Sequence, residues 1–148
     1  MSADAALGRI GRVPGDLRIL TDRVADDVVD DCLGRLALVV VDVTDIGATD
    51  VVGDALAQWQ SARRVSIDTR RRLEAALVQR DIDGLAAHRA SDLHSQRENF
   101  RAARGLACLA IVFGTVGGPR YRLREAAYEA SVALGGSAGV VGVLVEFT

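Results

Sequence analysis

The residues of this chain whose type and spacing could do chemistry sit in "VVVDVTDIGATDVVG", residues 39–53, and just after it at Asp54. Carboxylates that follow a buried parallel strand are where α/β proteins hold ligands, so Asp42, Asp45, Asp50 and Asp54 could serve acid–base work or bind a hard cation. The spacing decides little between them. An aspartyl-phosphate chemistry wants a second carboxylate two residues after Asp42, and Thr44 stands there. All 18 basic residues are arginine, which excludes a Schiff-base lysine and the lysine of a phosphate loop. Helix capping and solvated loop charge account for these aspartates more simply.

The remaining polar groups give no stronger chemistry. "GTVGGP", residues 114–119, could offer backbone N–H groups to a phosphate, with Gly117 and Gly118 as the cofactor-binding candidates. Pro119 removes one donor, however, and the spacing fits neither glycine-rich nucleotide signature, so a tight strand-to-helix turn is expected. His88 and His94 are six residues apart and point away from each other on a helix, which suits surface pairs with Asp92 and Glu98 rather than a metal site. Cys32 and Cys108 have apolar neighbours and read as reduced core thiols. No nucleophile–histidine motif is present. The expectation is a protein with no catalytic residue, no metal and no cofactor.

A length of 148 residues with 49% hydrophobic and 26% charged content predicts a single domain over 1–148 with one core. The first residues carry no signal-peptide pattern and no apolar run reaches membrane-spanning length, so the expected location is cytoplasmic. The exclusive use of arginine suits a GC-rich bacterial genome. Charge is uneven: residues 1–56 hold eleven Asp against five Arg, while residues 57–104 hold ten Arg against six acids. Such a division predicts two surfaces with different partners, or two segments that attract each other. Acids alternate with the arginines and aromatic residues are few, so nucleic acid is not the expected partner.

Those residues must be positioned by the elements around them. "DLRIL" (16–20) reads as a short edge strand, and "TDRVADDVVDDCL" as an amphipathic helix capped by Thr21 or Asp22 and ending near Gly34. "LALVVVDV" (36–43), "LACLAIVF" (106–113) and "GVVGVLVEF" (139–147) are continuous apolar runs, the pattern of strands buried on both faces. A helix from Asp50 would bury Val52, Leu56 and Trp59. Residues 65–104 show only helical spacing, through Leu73 and Leu77 and then Leu85, Leu93 and Phe100, with a reversal expected at "RDIDG". The predicted fold is an α/β sandwich: a sheet of three to four strands under helices, with an inserted arginine-rich helical hairpin.

The opening stretch resembles the central signature of STAS domains, the sulfate-transporter and anti-sigma-factor-antagonist family, with Asp42, Thr44, Asp50 and Gly53 in the matching places. Upstream, Gly15, Asp16 and Leu17 resemble the family's Gly-Glu-Leu-Asp turn. The resemblance implies a non-catalytic regulatory domain working by protein–protein contact through Thr44, Asp45, Asp50, Val51, Gly53 and Asp54, with Arg70 and Arg71 of the hairpin. The partner would be another protein or a second copy. The chain departs from the family at Val51, where phosphorylated antagonists carry Ser or Thr, and in its missing first strand. Two other readings stand beside this one: a small α/β enzyme or nucleotide binder using the acidic strand end and the Gly117–Gly118 turn, and a mostly helical oligomeric assembly protein built on a coiled pair within residues 51–116.

Overall fold

The computed structural model describes residues 17–148, and among them every regular element is helical. Helix α1 spans Leu17–Arg23, a single 3-10 turn Asp26–Val28, α2 Val29–Thr44, α3 Asp50–Ala62, α4 Ile67–Arg89, α5 Leu93–Val112, α6 Pro119–Ala133 and α7 Ala138–Glu146. The predicted α/β sandwich is therefore overturned. Residues 36–43 lie in the last half of α2, 106–112 in α5 with Phe113 as its cap, and 139–146 in α7 with Phe147 as its cap, so the STAS-like sheet does not exist among the described residues. "DLRIL" is likewise helix rather than edge strand from Leu17 onward, while Gly15 and Asp16 lie outside the described residues.

The physical reason lies in how far each apolar run extends. In α2 the buried residues are Val29, Cys32, Leu33, Leu36, Ala37, Val40 and Thr44, a stripe of three- and four-residue steps that begins well before residue 36. Leu38 and Val43 are exposed, so outward-facing apolar residues fill the gaps and hide the period within 36–43. Each leucine fully buried along the stripe contributes roughly 1.5–3 kcal/mol, which favours one 16-residue helix over a broken helix and strand. Gly34, expected to stop the first helix, instead lies inside α2, where an added Cβ would stand 2.8 Å from Nε1 of Trp59 on α3. It is a contact glycine rather than a terminator.

Helix α5 is the hub of the bundle. It packs against α4, α6 and α2, while α1 lies against α6 and α7, and α7 also lies against α2 and α6. The shared core joins Leu33, Leu36 and Val40 to Leu106 and Leu109, to Leu123, Ala127 and Ala130, and to Leu144. Close approach of α2 and α5 depends on Gly105: a Cβ there would meet Thr44 Oγ1 at 2.7 Å, a hydroxyl already donating to the Val40 carbonyl at 2.6 Å. Trp59 leans on Phe113 with ring centroids 5.5 Å apart. The start of α6 reaches back to α1, where the Arg120 guanidinium donates to the carbonyls of Thr21 and Val24 and pairs with Asp26. Those carbonyls have no helical N–H partner, and the arginine closes that end.

Candidate docking surface on the helical hairpin

The hairpin that presents the surface is built locally. Ser66 caps α4 by accepting from the Thr69 N–H at 3.2 Å, and Gln58 of α3 braces the joint by accepting from the Ser66 N–H and donating to Thr69 Oγ1, both at 2.8 Å. Arg72 pairs with Asp54 at 3.0 Å, tying the acidic loop side of the molecule to the base of the hairpin. At the far end the chain reverses over Ala90–Asp92, with Ser91 at φ 57° in the left-handed region. Asp92 caps α5 by accepting from the Ser95 N–H at 3.2 Å, and hydrogen bonds from the Ser95 side chain and backbone hold its carboxyl below the usual range. The reversal expected at Gly84 does not occur there. Gly84 sits inside α4 against Asn99 of α5, where α4 passes its neighbour.

Helix α4 has two apolar faces. One turns inward, with Thr69, Leu73 and Ala87 buried and Ala76 and Leu77 half-buried against the bundle. The other carries Ala75, Val78, Ile82 and Leu85, spaced three, four and three residues apart on the side opposite the inward stripe. Val78, Ile82 and Leu85 are 56%, 54% and 50% exposed. Ile67 at the start of α4 and Leu93 and Phe100 on α5 are also exposed, so six large apolar side chains of one hairpin lie open to water. Between the hairpin and the end of α6 runs a groove of about 720 Å³ with Leu85, Leu93 and Phe100 in its wall and Arg80, Arg97 and Arg101 beside them.

The residues expected from sequence are distributed differently from a single docking loop. Thr44 and Val51 are buried, Asp45 takes the left-handed position that ends α2 with φ 56°, and Asp50 opens α3. Thr49, rather than Asp50, holds the cap position, without a side-chain hydrogen bond. A Cβ on Gly53 would meet nothing within 4 Å. Arg70 donates to Thr115 Oγ1 at 3.2 Å, and Arg71 is exposed. Gly117 has φ 76° beneath the Tyr121 ring and Gly118 precedes Pro119 at the start of α6, so "GTVGGP" is a helix-to-helix turn.

The titratable groups that could react are quiet or dispersed. Desolvation by burial pushes both thiols up to about 12, with Glu146 adding to the effect on Cys32 and Glu129 on Cys108. Both therefore stay protonated at neutral pH, and the thiolate is the nucleophile that reactive cysteines need. His94 pairs with Glu98 at 3.1 Å, while Asp92 caps α5 as described. Among the described residues no three His, Cys, Asp or Glu side chains gather where they could hold a metal ion, and no helix is long and apolar enough to cross a membrane. No family model, curated protein or solved structure matches the chain. The outer face of α4 is what sequence reading missed. Its signal was present as a second set of apolar residues, 75, 78, 82 and 85, in phase with one another and out of phase with Leu73 and Ala87.

Proposed function

We propose that this chain is a non-catalytic helical assembly protein that associates with a second copy of itself through the outer face of α4. One observation carries the reading: Val78, Ile82 and Leu85 are each at least half exposed and share one side of a helix whose opposite side already packs on the bundle. Isolated apolar residues on a surface are ordinary, whereas an aligned set on a long helix costs free energy until something covers it. The alternating three- and four-residue steps from Ala75 to Leu85 are the register in which one helix seats against an identical one. A helix of 23 residues, roughly 34 Å long, gives that contact length.

The test is the mass of the protein in solution by sedimentation velocity over a wide concentration range. The wild type is expected to shift from monomer toward dimer as concentration rises. Val78→Glu with Ile82→Glu should hold it monomeric while leaving the thermal unfolding midpoint nearly unchanged, because both side chains lie at the surface. A wild type that stays monomeric at its highest attainable concentration would sink the reading.

A polar docking reading also has an observation in its favour. Asp45 and Asp50 are exposed at the end of α2 and the start of α3, Arg71 is exposed on α4, and the Asp54–Arg72 pair ties α3 to α4, which supports a surface suited to a protein of mixed charge.

A further inference from the structure

The groove between the hairpin and the end of α6 adjoins the outer face of α4, sharing Leu85 with it but not Val78 or Ile82, and has a chemistry of its own. Its apolar wall is formed by Leu85, Leu93 and Phe100, closed on the far side by Val132 and Ala133 of α6. A volume of about 720 Å³ falls within the roughly 300–1,000 Å³ of clefts that take small molecules. One long edge is cationic. Arg97 and Arg101 are four residues apart on one side of α5, and Arg80 of α4 faces them. Among the described residues neither Arg97 nor Arg101 has a hydrogen-bond or ion-pair partner, and Asp81 is the carboxylate that shares this lining. Arg80 donates to Asn99 Oδ1 at 3.1 Å, which holds its guanidinium in place and leaves its other N–H groups available.

We infer that this groove binds a single-chain amphiphile with an anionic head, its alkyl chain along Leu85, Leu93 and Phe100 and its head at the arginine edge. Charge decides the class. Within the groove three guanidinium groups stand against one carboxylate, and of the two carboxylates in a neighbouring pocket Glu98 is paired with His94, which favours an anion; the planar fork of arginine fits a carboxylate or sulfate with two parallel hydrogen bonds. The apolar wall supplies the second requirement, since an anion without a chain would leave Leu93 and Phe100, 62% and 57% exposed, in water. The same arginines also wall that smaller neighbouring pocket with Thr44, Asp45, His94 and Glu98, so the head lies at the arginines on the groove side, away from those two carboxylates.

Isothermal titration of the full chain with dodecanoate below its micelle concentration tests the inference, with dodecanol as the neutral control of equal chain length. Dodecanoate should bind saturably and dodecanol at least about tenfold more weakly. Arg97→Gln with Arg101→Gln should weaken dodecanoate about tenfold or more without changing dodecanol, and Phe100→Ser should weaken both. Binding should persist in the monomeric Val78→Glu, Ile82→Glu protein, which separates this site from the self-association proposed above. The inference is overturned if dodecanoate does not bind saturably, if dodecanol binds equally well, or if the Val78→Glu, Ile82→Glu protein no longer binds. Binding confined to anionic vesicles, or to an acidic amphipathic peptide in place of dodecanoate, would also overturn it, in favour of a membrane surface or a protein ligand.

Discussion

Glycine positions in this chain differ in what a methyl group would meet, and that difference sets the sign of a substitution. In a helix interior alanine is favoured over glycine by about 1 kcal/mol. At Gly53 of α3 the added Cβ finds open space, so Gly53→Ala should raise stability by roughly 0.5–1 kcal/mol. At Gly34 the same change drives a Cβ to 2.8 Å from the Trp59 indole nitrogen. That ring is rigid and rests on Phe113, so it can yield only by disturbing a second contact. Crowding of this kind costs about 1–3 kcal/mol, and Gly34→Ala should therefore destabilise on balance. Urea unfolding of the two variants checks the pair: a Gly34→Ala protein more stable than wild type would show that α2 and α3 are less closely packed than described. Charge is also placed sparingly at this scale. Glu129, with its side chain 4% exposed, meets Arg104 at 3.3 Å, and the Arg104 guanidinium also lies 6.0 Å from the Phe100 ring, which links a buried carboxylate to the groove wall.

Helix α4 shows what an element can hold that a sequence pattern does not easily declare. Its fully buried residues are few, with Ala87 alone in the distal half, and that half packs on α5 while the groove separates it from the end of α6. Few buried contacts mean low local stability, so amides of residues 82–97 should exchange with solvent faster than those of residues 102–112, where Ala102, Ala103, Leu106 and Leu109 are buried. Hydrogen-exchange mass spectrometry checks this, and self-association should slow the distal amides selectively. The helical character of residues 67–104, though not the place of their reversal, and the inward stripe of α3 were legible because their apolar residues are separated by polar ones: Val52 and Trp59 are both buried. The runs read as strands were not, because in 36–43 Leu38 and Val43 are apolar though exposed, and half-buried Val39, Val41, Ala110 and Ile111 flank the buried stripes, so few polar residues mark the period. Position mattered as much as composition. Gly34 and Gly84 read as stops and proved to be contacts, a distinction that depends on Trp59 and Asn99, which are distant in sequence. The groove was illegible for the same reason, since its wall takes residues from α4, α5 and α6.

Across the whole molecule the acidic first third and the arginine-rich remainder are joined by pairs at the surface: Asp22 with Arg124, Asp26 with Arg120, Asp31 with Arg63 and Asp54 with Arg72. At least one partner of each is about half exposed or more, and such pairs contribute about 0.2–1 kcal/mol each and are screened by salt. Raising sodium chloride to about 1 M, where the screening length is about 3 Å, should consequently lower the thermal midpoint by only a few degrees. Self-association through α4 should survive the same treatment, because burial of apolar surface does not depend on those charges. Collapse of the fold at high salt would show that charge, rather than the alanine- and leucine-rich core, holds the helices together.

The Arg120 contact with the end of α1 spans 99 residues of chain to reach the Thr21 carbonyl. A ribosome releases α1 long before it makes the residue that finishes it, so α1 must wait, its last carbonyls hydrated, until most of the bundle has been synthesised. Order of manufacture and order of completion are thus reversed at this end of the molecule.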